Sequence, residues 1–243
     1  MTSDSVTPFR IGIPDSALEE LKDRLHRVRL AGRETVPDGS QGVQRERLEE
    51  LLEYWATGYA WRVLERRLNE LGQFRTTIDG LGLHFMHVRS PRPDATPLLL
   101  LHGWPGSFLE FLKTVGPLTE RGFHLVVPSM PGYGFSGQPA SAGWDPDRIA
   151  RAYGVLMRRL GYGSYLAQGG DWGGVVATRM GAQRWRACVR STSTSPNSSP
   201  HHRSVTTRPQ RRRPHSNRAA ASSPSMPDTT SCSAPGRRPS ATP

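Results

Sequence analysis

Apolar positions follow one period in the first third of the chain and another after it. Leu18, Leu21, Leu25 and Val28 fall at three- and four-residue spacing, the signature of one helix face. That helix is expected from about Ser16, with Ser16 and Glu19 as a capping box, and Gly32 marks its end. Before it, Phe9–Pro14 reads as extended chain, and after it residues 33–43 form a polar loop. Leu48, Leu51, Leu52 and Trp55 place a second helix over about Val43–Ala56, interrupted by Gly58. A third covers about Trp61–Leu71 and stops at Gly72. The aromatics Tyr54, Trp55, Tyr59 and Trp61 read as packing groups rather than chemistry.

From Phe74 the period shortens. Phe74–Ile78 and Leu83–Val88 are expected to pair as strands about the turn Asp79-Gly80. His84 and His87, three apart on a strand, then face opposite ways, which argues against a shared metal site. The unbroken runs Leu98–Leu101 and Phe123–Val127 read as buried strands. A helix follows from Asp145, with Pro146 at its first position and Ile149, Tyr153, Leu156 and Leu160 as its buried stripe. Strands alternating with helices define an α/β class.

The stretch Leu166–Gly174 then ends a strand, turns sharply and opens a helix that continues through Val175, Val176 and Met180. Within it, Gly169-Gly170-Asp171-Trp172-Gly173 has the small-x-nucleophile-x-small pattern of a nucleophile elbow, with aspartate in place of serine. Glycines suit it because Cβ atoms beside the nucleophile would collide with strand and helix. The positive end of the following helix favours the ionised carboxylate. A carboxylate attacks acyl carbon poorly but can displace a leaving group at an alkyl carbon, giving an ester on the enzyme. Water must then attack the ester carbonyl, so an oxyanion hole is needed. Taken alone, Asp171 could equally be a helix cap.

Two further motifs decide against that. His102-Gly103-Trp104-Pro105-Gly106-Ser107 follows the leucine strand, and its turn supplies a backbone N–H from Trp104; the N–H of Trp172 is the second donor. Ser107 and Glu110 read as a capping box for the next helix. His102 precedes the nucleophile, whereas the base of such an elbow follows it, so His102 is read as shaping its loop. Pro128–Ser136, rich in Pro and Gly, sits at the carboxyl end of a strand, where ligand-binding loops of open α/β sheets lie.

Charge is unevenly spread. The net charge of +11 would ordinarily suggest nucleic acid, but residues 184–243 hold eleven of the 32 Lys+Arg and one of the 21 acids, Asp228. The preceding 183 residues are near neutral. Both cysteines, Cys188 and Cys232, fall in the basic stretch, so no disulfide framework is implied for the domain. Met1–Thr7 lacks the apolar core of a signal peptide, and no run reaches the roughly 18 apolar residues of a membrane span. Residues 184–243 contain no Leu, Ile, Phe or Tyr and are dominated by Ser, Thr, Pro and Arg, a composition that predicts disorder. The change falls inside a helix rather than at a domain boundary, which favours an out-of-frame translation of a GC-rich gene over a basic nucleic-acid-binding tail or a linker. With GC-rich codons for Ser191–Ser195, the frame two bases on reads His-Leu-Asp-Leu.

His-Gly-Trp-Pro-Gly-Ser, Pro-Ser-Met-Pro-Gly-Tyr-Gly-Phe-Ser and Gly-Gly-Asp-Trp-Gly, in this order, resemble the epoxide hydrolases of the α/β-hydrolase fold. Pro8–Ile11, Tyr54-Trp55, Tyr59, Trp61-Arg62, Leu68-Asn69, Phe74, Ile78–Gly80 and His84–Pro91 resemble the microsomal and juvenile-hormone-type branch with its N-terminal helical extension. The resemblance runs from about Pro8 to Gln183. It implies a helical extension (1–75) that wraps the core and meets the lid, the N-terminal half of the hydrolase sheet with its elbow (76–183), and the tail (184–243). It implies hydrolysis of a small-molecule epoxide to a vicinal diol, with Asp171 as nucleophile and the Trp104 and Trp172 amides as oxyanion hole. No cofactor or metal is implied, and no nucleic acid for the folded part. A cytoplasmic location is expected, because the branch's membrane-bound members carry an N-terminal anchor. A haloalkane dehalogenase shares the Asp-Trp elbow, but there a polar amide residue follows His-Gly where this chain has Trp104.

The family's lid tyrosines, its acid and its His base all follow the nucleophile. Here only His201, His202, His215 and Asp228 do so, and none lies in strand context. The chain is therefore expected to be catalytically dead or nearly so, with an unpaired apolar edge strand beside Asp171.

Overall fold

In the computed structural model, residues 5–183 and the strand 187–191 are described. The chain order is β1 (Thr7–Pro8), α1 (Asp15–His26), α2 (Arg45–Glu53), α3 (Trp61–Glu70), β2 (Gln73–Ile78), β3 (Leu81–Val88), β4 (Thr96–Leu101), α4 (Val115–Glu120), β5 (Phe123–Pro128), α5 (Pro146–Arg159), β6 (Tyr165–Gly169), α6 (Asp171–Ala182) and β7 (Ala187–Ser191). The seven strands form one sheet in the order β1-β2-β3-β5-β4-β6-β7. β1, β2 and β3 run antiparallel, and β5, β4, β6 and β7 are mutually parallel.

Alternation along the strands places the core on both faces. In β4, Leu99 and Leu101 face one cluster with Val126, Tyr153, Leu156, Met157, Val176 and Met180. Leu98 and Leu100 face the other, with Leu125, Val127, Ile11, Leu68, Phe108 and Val115. Helices therefore cover each face, as the unbroken leucine run requires. The hairpin closes through Asp79 (φ 51°) and Gly80 (φ 78°), with Ile78 opposite Leu81, a two-residue turn whose left-handed pair matches the twist of the strands. α5 starts as expected, with Asp145 accepting from the Arg148 amide at 2.8 Å and Pro146 in the first turn.

Several expectations fail at element ends. α1 begins at Asp15 behind Pro14, so Ser16 lies inside the helix and caps nothing. The proline enforces the extended entry (φ −58°, ψ 144°) that a cap residue would otherwise supply. The helix stops at His26, well before Gly32, and Val28 is exposed. The second helix is α2 alone. It passes into a single π turn at Tyr54–Gly58, closed by the Tyr59 amide on the Tyr54 carbonyl at 2.9 Å. Gly58 permits this turn, since a Cβ there would lie 2.8 Å from the Tyr54 ring. After Ser107 the chain forms a 3-10 helix (Phe108–Thr114) before α4; Ser107 Oγ accepts from Leu109 N at 3.3 Å, but the reciprocal Glu110 half of the box is not made.

At the other end of the sheet, β7 pairs in parallel with β6 from Tyr165↔Ala187 to Gly169↔Ser191. These residues belong to the stretch that composition assigns to the tail. β6 thus has neighbours on both sides and is not the unpaired edge expected beside Asp171. Pairing needs only backbone N–H and C=O groups, and the short Ala-Cys-Val-Arg-Ser segment supplies them to that edge. The rest of the 184–243 stretch, with His201, His202, His215 and Asp228, lies outside the described residues. Among the described residues no helix is long and apolar enough to cross a membrane.

Candidate active site

Asp171 stands at the junction of β6 and α6 with φ 51°, a left-handed conformation that a residue with a side chain rarely adopts. The packing around it shows what holds it there. A Cβ on Gly173 would fall on the carbonyl oxygen of Leu101 in β4, and one on Gly169 would fall on the backbone of Gly173. A Cβ on Gly103 would lie 2.5 Å from Asp171 Cβ. Three glycines thus let β4, β6 and α6 close on one point and project the carboxylate to the surface at the carboxyl ends of the parallel strands.

The carboxylate meets two backbone donors. Trp104 N donates to Asp171 Oδ1 at 2.8 Å, and the Trp172 amide also bonds Asp171. These bonds, Trp172 first and Trp104 second, hold the carboxyl below its ordinary range, so Asp171 is ionised at neutral pH. The structure therefore brings together the three residues singled out from sequence. Trp104 and Trp172 are themselves exposed, at 67% and 52%, as is Val175 in the first turns of α6.

His102 is buried under this turn. Its Nε2 accepts from Met130 N at 3.0 Å and its Nδ1 bonds Gly103 O at 3.1 Å. With both nitrogens engaged, the ring is not available as a base for Asp171. Burial lowers its pKa and keeps it neutral. The Tyr133 ring meets it edge-on at 5.4 Å. Pro128–Ser136 is thus a structural neighbour of the site. It folds back through Gly132 (φ 83°) and Gly134 (φ 50°), and Ser136 Oγ donates to Ser129 O at 2.8 Å. The loop is fastened to β3, where His84 Nδ1 pairs with Ser129 Oγ and His84 Nε2 with Gln73 Oε1, both at 2.9 Å. Burial drives His84 down to about 3. His87 has a different partner, the Tyr162 hydroxyl at 2.9 Å.

Sequence reasoning missed Glu65. This carboxylate, only 8% exposed, accepts from Ile13 N (2.8 Å), Arg62 (2.6 Å) and Trp61 Nε1 (3.2 Å). Four residues on, Asn69 bonds both the N–H and the C=O of Ile11 at 2.8 Å. Together they bind the Ile11–Ile13 backbone to α3 as a strand partner would. The signal was present: Glu65 lies on the apolar stripe of Trp61, Leu64 and Leu68, where an acid needs buried donors. Nearby, Tyr54, Trp55 and Tyr59 do not pack as expected. They are 40–57% exposed and line an open apolar groove of about 770 Å³ with Leu18, Leu21 and Leu51.

Comparison with known proteins joins these observations. Residues 6–111 match the family described as the epoxide hydrolase N terminus, and residues 96–218 match the alpha/beta hydrolase fold. The chain belongs to the epoxide hydrolases of the α/β-hydrolase fold. A protein of Stigmatella aurantiaca, named provisionally as an epoxide hydrolase, is 50% identical over 184 residues, which cover 72% of this chain and 42% of that protein. Epoxide hydrolase 1 of Oryctolagus cuniculus is 37% identical over 193 residues, 74% of this chain and 42% of its own length. The crystal structure of juvenile hormone epoxide hydrolase from the silkworm Bombyx mori superposes with a TM-score of 0.72 at 34% identity, covering 78% of this chain and 53% of that one. The chain thus spans about two fifths of the length of the curated relatives it matches.

Proposed function

We propose that this chain carries the nucleophilic half of an epoxide hydrolase site and acts on a small-molecule epoxide. The observation that supports it best is the ionised, exposed Asp171 carboxylate with two backbone amides on it. In the first step a carboxylate oxygen attacks a ring carbon. The carbon–oxygen bond of the epoxide breaks, its electron pair stays on oxygen, and that oxygen takes a proton from an acid. The product is a hydroxyalkyl ester of Asp171. In the second step water adds to the ester carbonyl carbon. The negative charge that develops on the carbonyl oxygen falls to the Trp104 and Trp172 amides. Collapse of the adduct releases the diol and restores the carboxylate.

By the family resemblance, the proton donors for the first step and the base for the second are expected C-terminal to the elbow. Among the described residues no histidine touches Asp171, and His102 is committed elsewhere. The 243-residue chain is therefore expected to react at most once, and slowly, and to stop at the ester. Epoxide consumption at high chain concentration tests this. Consumption that plateaus at or below one equivalent per chain and vanishes in Asp171→Asn is expected; sustained diol release would contradict the arrest.

A further inference from the structure

His102 is pinned at both nitrogens, and the chemistry of its partners fixes which one carries hydrogen. A backbone amide can only donate, so Nε2, 3.0 Å from Met130 N, is bare. A carbonyl can only accept, so the hydrogen of the neutral ring sits on Nδ1, 3.1 Å from Gly103 O. The Gly103 carbonyl and the Trp104 N–H belong to one peptide unit. That unit is planar and trans, so its C=O and N–H point in opposite directions. One end is held by His102 and the other reaches Asp171 Oδ1 at 2.8 Å.

We propose that His102 is a positioning residue: through Nδ1–H it fixes the rotation of the Gly103–Trp104 peptide and so aims the Trp104 amide at Asp171. Gly103 cannot hold its own peptide by side-chain packing, because any Cβ there strikes Asp171. The far side of the clamp is rigid as well. Met130 follows Ser129, which is fastened to His84 by its hydroxyl (2.9 Å) and by its amide on the His84 carbonyl (3.0 Å). The order of support runs from β3 through Ser129–Met130 and the imidazole to one of the two peptides that meet the carboxylate. This inference rests on reading that amide as an oxyanion donor.

The test uses the full 243-residue chain, with histidine nitrogens and aspartate carboxyl carbons labelled for NMR. At pH 7 the native His102 is expected to be neutral with hydrogen on Nδ1. In His102→Phe, which keeps ring bulk without a donor, the Asp171 carboxyl pKa rises by about one. In His102→Asn, whose amide replaces the Nδ1 donor, most of that rise is reversed. A space-filling role gives the opposite order, with the phenylalanine near native and the asparagine disturbed, and that order would overturn the proposal. An Nε2–H or cationic ring in the native chain would also overturn it, which keeps the test decisive if the phenylalanine chain does not fold. Neither readout involves an epoxide, so an unreactive Asp171 would count against the proposed function alone.

Discussion

Around Asp171 single methyl groups have nowhere to go, whereas α1 and α2 bury no residue fully. Backbone meets backbone where β4, β6 and α6 converge. In the extension, half-buried leucines and exposed aromatics border an open groove. Both regions are rich in sequence signal, but the signals differ in kind. At the elbow Gly169 and Gly173 each answer to a particular backbone atom, so the residues dictate the geometry. In the extension the apolar spacing dictates only that a helix forms and which side is apolar.

The contrast is broken most severely by Gly173→Ala. Its methyl would fall on the Leu101 carbonyl, so a loss of about 3 kcal/mol or more is expected in urea unfolding, or no folding at all. A near-native midpoint would mean that the elbow is as yielding as the extension.

Glu65→Ala tests the joint between the two regions. It strands the half-buried Ile13 amide and Trp61 indole, and about 1 to 2 kcal/mol of stability should go with it. If instead the change is harmless, α3 does not hold the Ile11–Ile13 segment as described.

Acid sharpens the same comparison, because the buried histidines lie under the site and not in the extension. The folded pKa of His84, about 3, is below its ordinary value of 6.5, so the unfolded chain binds its proton first. The stability that neutral His84 brings is complete above pH 6.5 and is lost progressively as pH falls toward 3. The slope is up to about 1.4 kcal/mol per pH unit. His84→Gln should flatten that part of the curve.

The smallest effect is expected in the groove. Trp55→Ser and Leu51→Ser remove side chains that are already 44% and 58% exposed, so unfolding should shift by no more than about 0.5 kcal/mol. A larger loss would show that these side chains are packed in solution.

Much of the fold was legible because period and punctuation agreed. The Asp79-Gly80 turn, the leucine strand, the Asp145-Pro146 helix start and the elbow each combined a pattern with a turn or cap residue. What escaped reading was set by local competition between neighbouring residues in the extension and by partners distant in sequence in the sheet and at the site. Pro14 displaced Ser16 as the start of α1, and the π turn at Tyr54–Gly58 ended α2 early. β7 closed an edge that composition left open. At the site, the elbow and the His-Gly-Trp-Pro turn singled out Asp171, Trp104 and Trp172, and these three lie together. The two bonds of His102 were not legible, because Met130 N lies 28 residues away.

The most direct test of the central claim is peptide mass spectrometry of the 243-residue chain after incubation with styrene oxide. One epoxide mass on the peptide that carries Asp171, absent in Asp171→Asn, is the expected result. A folded chain that takes up no epoxide there, or takes it up equally in the variant, would contradict the assignment of Asp171 as the nucleophile.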